Sequence, residues 1–144
     1  MDKTDEITEF ALTVIEECTA GKMRLMNRVI TGIYDRELKK HGLKISQASI
    51  LISLAADGAK KRSEISRILR MEKSTVTRNL DRMIKNGWLY ETGDERIDIS
   101  EKGRELLLAS RPDWKNVQTK IYDILGEDGI NAVKLISRRI KYGR

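Results

Sequence analysis

Apolar positions along this chain recur mostly at helical spacing and alternate in only one short stretch. Ile7, Phe10, Ala11, Val14, Ile15 and Cys18 recur at three- and four-residue spacings. The stripe resumes at Leu25, Met26, Val29, Ile30, Ile33 and Leu38. A shorter helix is predicted around Ile45, Ala48, Ile50, Leu51, Leu54 and Ala55, capped by Ser46 and broken by Asp57-Gly58-Ala59. Ser63–Leu69 reads as another short helix, and Met71-Glu72-Lys73 as the turn into the next. That next helix, at about 73–86, gathers Val76, Leu80, Met83 and Ile84 on one stripe. Ser74, Thr75, Thr77, Arg78, Asp81, Arg82 and Lys85 take the opposite arc. Either Glu72 or Ser74 is placed to accept from the helix's first free amides, and Asn86-Gly87 fits a left-handed stop.

The alternating stretch follows at once. Trp88 to Glu91 and Arg96 to Ile99 flank the turn-prone tetrad Thr92-Gly93-Asp94-Glu95, which predicts a hairpin. Ser100 then reads as the cap of a further helix with an acidic first turn. Pro112 lies in that long stretch and should start or bend a helix. Ile130, Val133, Leu135, Ile136 and Ile140 form the last stripe. Short helices, a hairpin and a closing helix are the order of a winged helix-turn-helix. The expected fold is therefore mainly α with a small β-hairpin wing: a winged helix-turn-helix plus a helical dimerisation layer. Residues 1–42 would supply N-terminal dimerisation helices, 43–103 the DNA-binding lobe and 104–144 the C-terminal dimerisation helices. Both terminal stripes are too apolar to face water, and a symmetric partner offers each the same surface in return.

Charge sharpens the expectation for the central lobe. Residues 60–85 carry nine cations (Lys60, Lys61, Arg62, Arg67, Arg70, Lys73, Arg78, Arg82, Lys85) against Glu64, Glu72 and Asp81, a net of +6. This equals the formal charge of the whole chain of 144 residues, +6, so the remainder sums to zero. An excess this local is the footprint of a polyanion partner; a merely solvated charged face is the competing reading. Short hydroxyls at the start of the 73–86 helix, followed by long cations, suit a helix that enters a groove by its N-terminal end. The termini are oppositely charged: residues 1–20 carry −5 and residues 134–144 carry +5.

Other chemistry has little support. With one His (His41) and one Cys (Cys18), a typical His/Cys zinc site cannot form within one chain, and no metal or other cofactor is expected. Neither a glycine-rich phosphate loop nor a nucleophile elbow occurs, so no enzyme activity is expected. His41, beside Gly42, reads most simply as a partner at a helix end. No apolar run approaches membrane-spanning length, and the acidic start is the reverse of a signal peptide. A single cysteine forms no internal disulfide, which fits a reducing cytoplasm, the expected location.

Several of these residues together resemble a known family. Leu43-Lys44-Ile45-Ser46-Gln47-Ala48, then Ser74-Thr75-Val76-Thr77-Arg78 with Leu80-Asp81-Arg82-Met83, then Asn86-Gly87 and Ser100-Glu101-Lys102-Gly103, are similar to the MarR family of transcriptional regulators. The motif order matches over roughly residues 43–108. The family's wing usually carries an Asp-x-Arg element at the tip of a longer hairpin. Here Asp94-Glu95-Arg96 stands in its place, with only Ile97-Asp98-Ile99 before Ser100, so this wing is a few residues short. The resemblance implies a homodimer on double-stranded DNA and a small-molecule effector that weakens binding from a pocket between the two lobes. One branch of the family senses hydroperoxides through a first-helix cysteine supported by tyrosines. That makes Cys18, with Tyr34, a redox candidate, although Cys18 shares a stripe with Val14 and Ile15 and reads first as a buried structural thiol.

The expected function is sequence-specific regulation of transcription by a homodimer on a palindromic operator. Ser74, Thr75, Thr77 and Arg78 are the expected groove contacts. Lys60, Lys61, Arg62, Lys73, Arg82 and Lys85 are expected on phosphates, and Arg96 in the wing. A winged helix that binds protein would present an apolar or acidic face, which residues 74–85 lack. An RNA binder would place stacking aromatics there, and the nearest, Trp88 and Tyr90, belong to the wing strands.

Overall fold

The computed structural model describes residues 2–142; Met1, Gly143 and Arg144, the last of them one of the five C-terminal cations, lie outside the described residues. The elements are α1 (Lys3–Glu17), α2 (Thr19–Leu38), a 3-10 turn (Lys39–His41), α3 (Ile45–Asp57), α4 (Arg62–Leu69), α5 (Lys73–Lys85), β1 (Leu89–Glu91), β2 (Ile97–Ile99) and α6 (Glu101–Tyr142). The chain forms two compact units, residues 1–33 and 34–144.

The first unit holds α1 and most of α2. The predicted stripe that starts at Ile7 ends at Cys18, whose backbone is extended (φ −67°, ψ 106°). Cys18 is only partly buried, and its sulfur accepts the Gly21 amide at 3.4 Å. A thiol at the start of a helix takes the place of a capping oxygen, so Cys18 sits at a junction rather than on a helical stripe. Every residue of α1 is exposed, with Ile7 at 60 % and Phe10 at 70 % of full exposure.

The second unit is built on one core of Leu38, Leu43, Ala48, Ile50, Leu51, Leu54, Ile65, Val76, Leu80, Met83, Trp88, Leu89, Ile97 and Ile99. Helix α3 starts one residue before the expected Ser46 cap. Gln47 supplies the cap instead, its Oε1 accepting the Lys44 amide at 3.0 Å, and the Asp35 carboxylate takes the Ile45 amide at 2.8 Å. A Gln at the third helical position can reach back in this way, which makes a leading hydroxyl unnecessary. Between α4 and α5, Arg70 is left-handed (φ 50°). That kink is held by Met71 N–H to Ser66 O at 3.2 Å and by Ser66 Oγ to Met71 O at 2.8 Å.

The hairpin pairs Leu89 with Ile99, Tyr90 with Asp98 and Glu91 with Ile97. Lys60 joins it by a single antiparallel bridge to Ile97, with amide-to-carbonyl distances of 3.0 and 2.8 Å. This third strand is one residue long and left no alternation in the sequence. Ser100 caps α6 as expected: its Oγ accepts the Gly103 amide at 3.0 Å and donates to the Gly87 carbonyl at 2.5 Å. Gly103 lies hard against the hairpin, since a Cβ there would fall 2.2 Å from the Trp88 carbonyl oxygen. Helix α6 runs through Pro112; the interruption comes at Gly126 (φ 68°, ψ 176°). A proline removes one donor but keeps a helical φ, whereas only glycine readily takes the torsions seen at 126.

Candidate nucleic-acid interface

Helix α5 is divided as its sequence predicts. Val76, Leu80 and Met83 are at most 2 % exposed, which fixes the helix's rotation about its axis. Lys73, Ser74, Thr77, Arg78, Arg82 and Lys85 are then all exposed on the other side, with Thr75 half-buried between. Glu72 occupies the N-cap position but caps no amide with its side chain. Its carboxylate instead takes the hydroxyl protons of Ser74 (2.5 Å) and Thr75 (3.4 Å), and Thr75 Oγ1 accepts from Arg78 Nη2 at 3.5 Å. The Ser74 hydrogen bond, with the Thr75 hydroxyl and the Arg78 charge, holds the Glu72 carboxyl below its usual range.

The cations separate into two groups. Among the described residues, the side-chain charges of Lys61, Lys73, Arg78, Arg82 and Lys85 lie within 4 Å of no carboxylate oxygen, and all five residues are exposed. Lys60, Arg62 and Arg96 are each engaged with other parts of the fold, the two arginines while still partly exposed. Lys60 runs along the bridge to Ile97, with its side chain 12 % exposed and its Nζ 3.8 Å from Asp57. Arg62 spans Asp81 of α5 (3.0 Å) and Glu91 of β1 (2.9 Å). Its pKa is raised first by the Glu91 hydrogen bond and then by Asp81. Arg62 is thus a strut between α5 and the hairpin. Arg96 pairs with Asp94 at 3.2 Å and donates to the Ala59 carbonyl at 3.4 Å. The Thr92 hydroxyl hydrogen-bonds Asp94 and, with Arg96, keeps the Asp94 carboxyl below its ordinary range. These contacts brace the tip of the wing. A small cleft of about 140 Å³, lined by Arg62, Ser63, Ser66, Lys73, Val76 and Thr77, separates α4 from the start of α5.

A second feature of the same unit is an apolar cavity of about 290 Å³ between Leu38, Ala48, Ile52, Leu107, Leu108 and Trp114, with Ser110 and Arg111 as its polar members. Beside it, the 3-10 turn is tied to α6. His41 Nε2 lies 2.6 Å from Asp113 and Lys40 Nζ 2.8 Å from the same carboxylate, while Glu37 pairs with Lys120. His41 therefore binds α6 rather than completing a helix end. Gln118 donates to the Tyr34 phenol, whose pKa burial raises. Sequence reasoning missed this cavity and clasp because their parts are distant in the chain, Asp113 standing 73 and 72 positions from Lys40 and His41.

Short helices packed around one core, a hairpin pinned to them and an exposed cationic helix define a winged helix-turn-helix DNA-binding protein. A family model described as MarR family matches residues 41–96. The chain is 31 % identical over 94 residues to the HTH-type transcriptional regulator YwoH of Bacillus subtilis (strain 168), an alignment covering 65 % of this chain and 67 % of that protein. The chain belongs to the MarR family of transcriptional regulators. Among solved structures it is similar to the Mycobacterium tuberculosis transcriptional regulator MosR, with 26 % identity, 88 % of this chain and 98 % of that one covered, and a TM-score of 0.77. Bordetella bronchiseptica BpsR, whose DNA binding is regulated by 6-hydroxynicotinic acid, shares the fold at 16 % identity, with coverage of 87 % and 94 % and a TM-score of 0.77.

Proposed function

We propose that this protein regulates transcription as a homodimer on a palindromic double-stranded operator, with one α5 in each of two successive major grooves. The observation that carries this reading is the exposed arc of α5, where Arg78, Arg82 and Lys85 stand free of carboxylates behind a leading set of hydroxyls. Ser74, Thr75, Thr77 and Arg78 read base edges; Lys61, Lys73, Arg82 and Lys85 meet phosphates. Arg62 and Lys60 act at one remove, by fixing where α5 and the wing stand. Half-sites then lie about 34–36 Å apart, one turn of the duplex.

The dimer reading is supported by what a single chain leaves uncovered. Ile7, Phe10 and Ile15 of α1, and Val133, Leu135, Ile136 and Ile140 of α6, are all at least 40 % exposed. Apolar surface of that extent is typical of an interface. The cavity beside Trp114 is the proposed seat of a small apolar effector. It adjoins the clasp that ties α6 to the approach to α3, so a ligand wedged there shifts the DNA-binding lobe. Binding of genomic fragments tests the whole reading. The expected result is a palindromic consensus, bound by a species that sediments as a dimer at micromolar concentration. Enrichment without any dyad, or a stable monomer, refutes it.

A further inference from the structure

The network at the start of α5 has a chemical direction. Ser74 has one hydroxyl hydrogen, and it is committed to Glu72 Oε2 at 2.5 Å. Thr75 directs its own toward the same oxygen at 3.4 Å while accepting from Arg78 Nη2. What both hydroxyls have left to offer a ligand is lone pairs. In the major groove only the amino groups of cytosine (N4) and adenine (N6) are donors that lone pairs can take; guanine O6 and N7, thymine O4 and the phosphate oxygens are acceptors.

We infer that Glu72 is a specificity-determining residue, which fixes Ser74 and Thr75 as acceptors and so selects a donor-bearing base, cytosine or adenine, opposite them. This rests on the DNA-binding reading above and adds the polarity of that contact. It also gives the acid a second effect. An exposed carboxylate at the end of the helix that enters the groove repels phosphate, so it weakens binding to every sequence while sharpening the choice among them. Discrimination of this kind uses an unfavourable element alongside a favourable one.

The test is selection from a randomised duplex library with the full-length chain and two variants. Glu72→Ala removes the acceptor from an exposed position, so it opens no cavity, and both hydroxyls become free to donate. The preference for cytosine or adenine at that position should relax about tenfold, the size of one base contact, while preferences elsewhere in each half-site persist. Affinity for duplex lacking the consensus should rise. Glu72→Gln removes the charge but keeps a carbonyl oxygen, so it should share the rise in non-consensus affinity and retain the base preference. Wild-type preference in Glu72→Ala overturns the inference, as does loss of preference in Glu72→Gln. A wild-type chain that selects no palindrome at all defeats instead the DNA-binding reading on which the inference rests.

Discussion

Replacing Gly103 by alanine measures how tightly α6 is seated on the wing. The added Cβ would lie 2.2 Å from the Trp88 carbonyl oxygen and 2.9 Å from Ile99 Cγ1. The first distance is about 1 Å inside van der Waals separation, and its neighbour is backbone, which cannot swing aside. Either α6 lifts or the hairpin shifts. Overpacking of this kind costs about 1–3 kcal/mol. The movement also strains Ser100 N–H to Trp88 O (3.0 Å) and Ser100 Oγ to Gly87 O (2.5 Å). Each of those hydrogen bonds contributes about 1 kcal/mol. Against this, alanine in place of glycine inside a helix gains about 1 kcal/mol. The net expectation is a loss of about 2–4 kcal/mol, or a melting temperature lower by roughly 5–15 °C. Urea denaturation followed by circular dichroism reads it, at matched protein concentration so that any assembly contributes equally to both chains. A variant within about 0.5 kcal/mol of wild type, or more stable, would show that helix propensity outweighs the clash and that the seat is loose.

Three further outcomes are expected. Arg78→Ala should abolish discrimination for the selected operator, costing about 1–3 kcal/mol per subunit, with thermal stability unchanged; near-wild-type affinity removes Arg78 from the set of base-reading residues. Changing Lys61, Lys73 and Lys85 together to Gln should flatten the salt dependence of binding by roughly one unit for each phosphate no longer neutralised. The same change at Lys60 alone should leave the slope as it is, because its side chain lies along the fold. The Asp113 carboxyl is held below the ordinary aspartate range by Lys40 first and His41 second. A depressed carboxyl pKa stabilises the folded state above the unfolded value, and that contribution disappears as pH falls through the folded one. Denaturation midpoints measured from about pH 6 down to about pH 3 should therefore fall less steeply for Asp113→Asn than for wild type.

Much of this was legible in the sequence, and where it was not the reasons are physical. The α5 stripe, the hairpin and the Ser100 cap depend on residues within a few positions of one another, which is the range over which periodicity and capping act. The free cations and the struts could not be told apart, because Arg62 and Lys61 look alike until Asp81 and Glu91, up to 29 positions away, are brought beside one of them. The break at Cys18 was hidden for a different reason. Cysteine continues an apolar stripe as well as it ends a helix, and its sulfur's hydrogen bond to Gly21 has no signature in hydropathy. Proline drew attention at 112 because it is a recognised breaker, while glycine at 126 disrupts only through torsions a sequence does not display.

That torsion at Gly126 has a consequence for how such a chain can diversify. Nothing lies within 4 Å of the position where a Cβ would stand, so space is no obstacle to a side chain there; the backbone alone objects. Any other residue would find φ 68°, ψ 176° costly by about 1–3 kcal/mol, and would find the helical basin open on both sides. A Gly126→Ala change should therefore extend the helix through the break, turning the stripe that begins at Ile130 to a new heading without disturbing the core, a change that X-ray scattering in solution would register. One codon is in this sense a steering joint for the C-terminal face. Through it a lineage of such regulators can re-aim its C-terminal apolar stripe while the core and the exposed arc of α5 stay as they are.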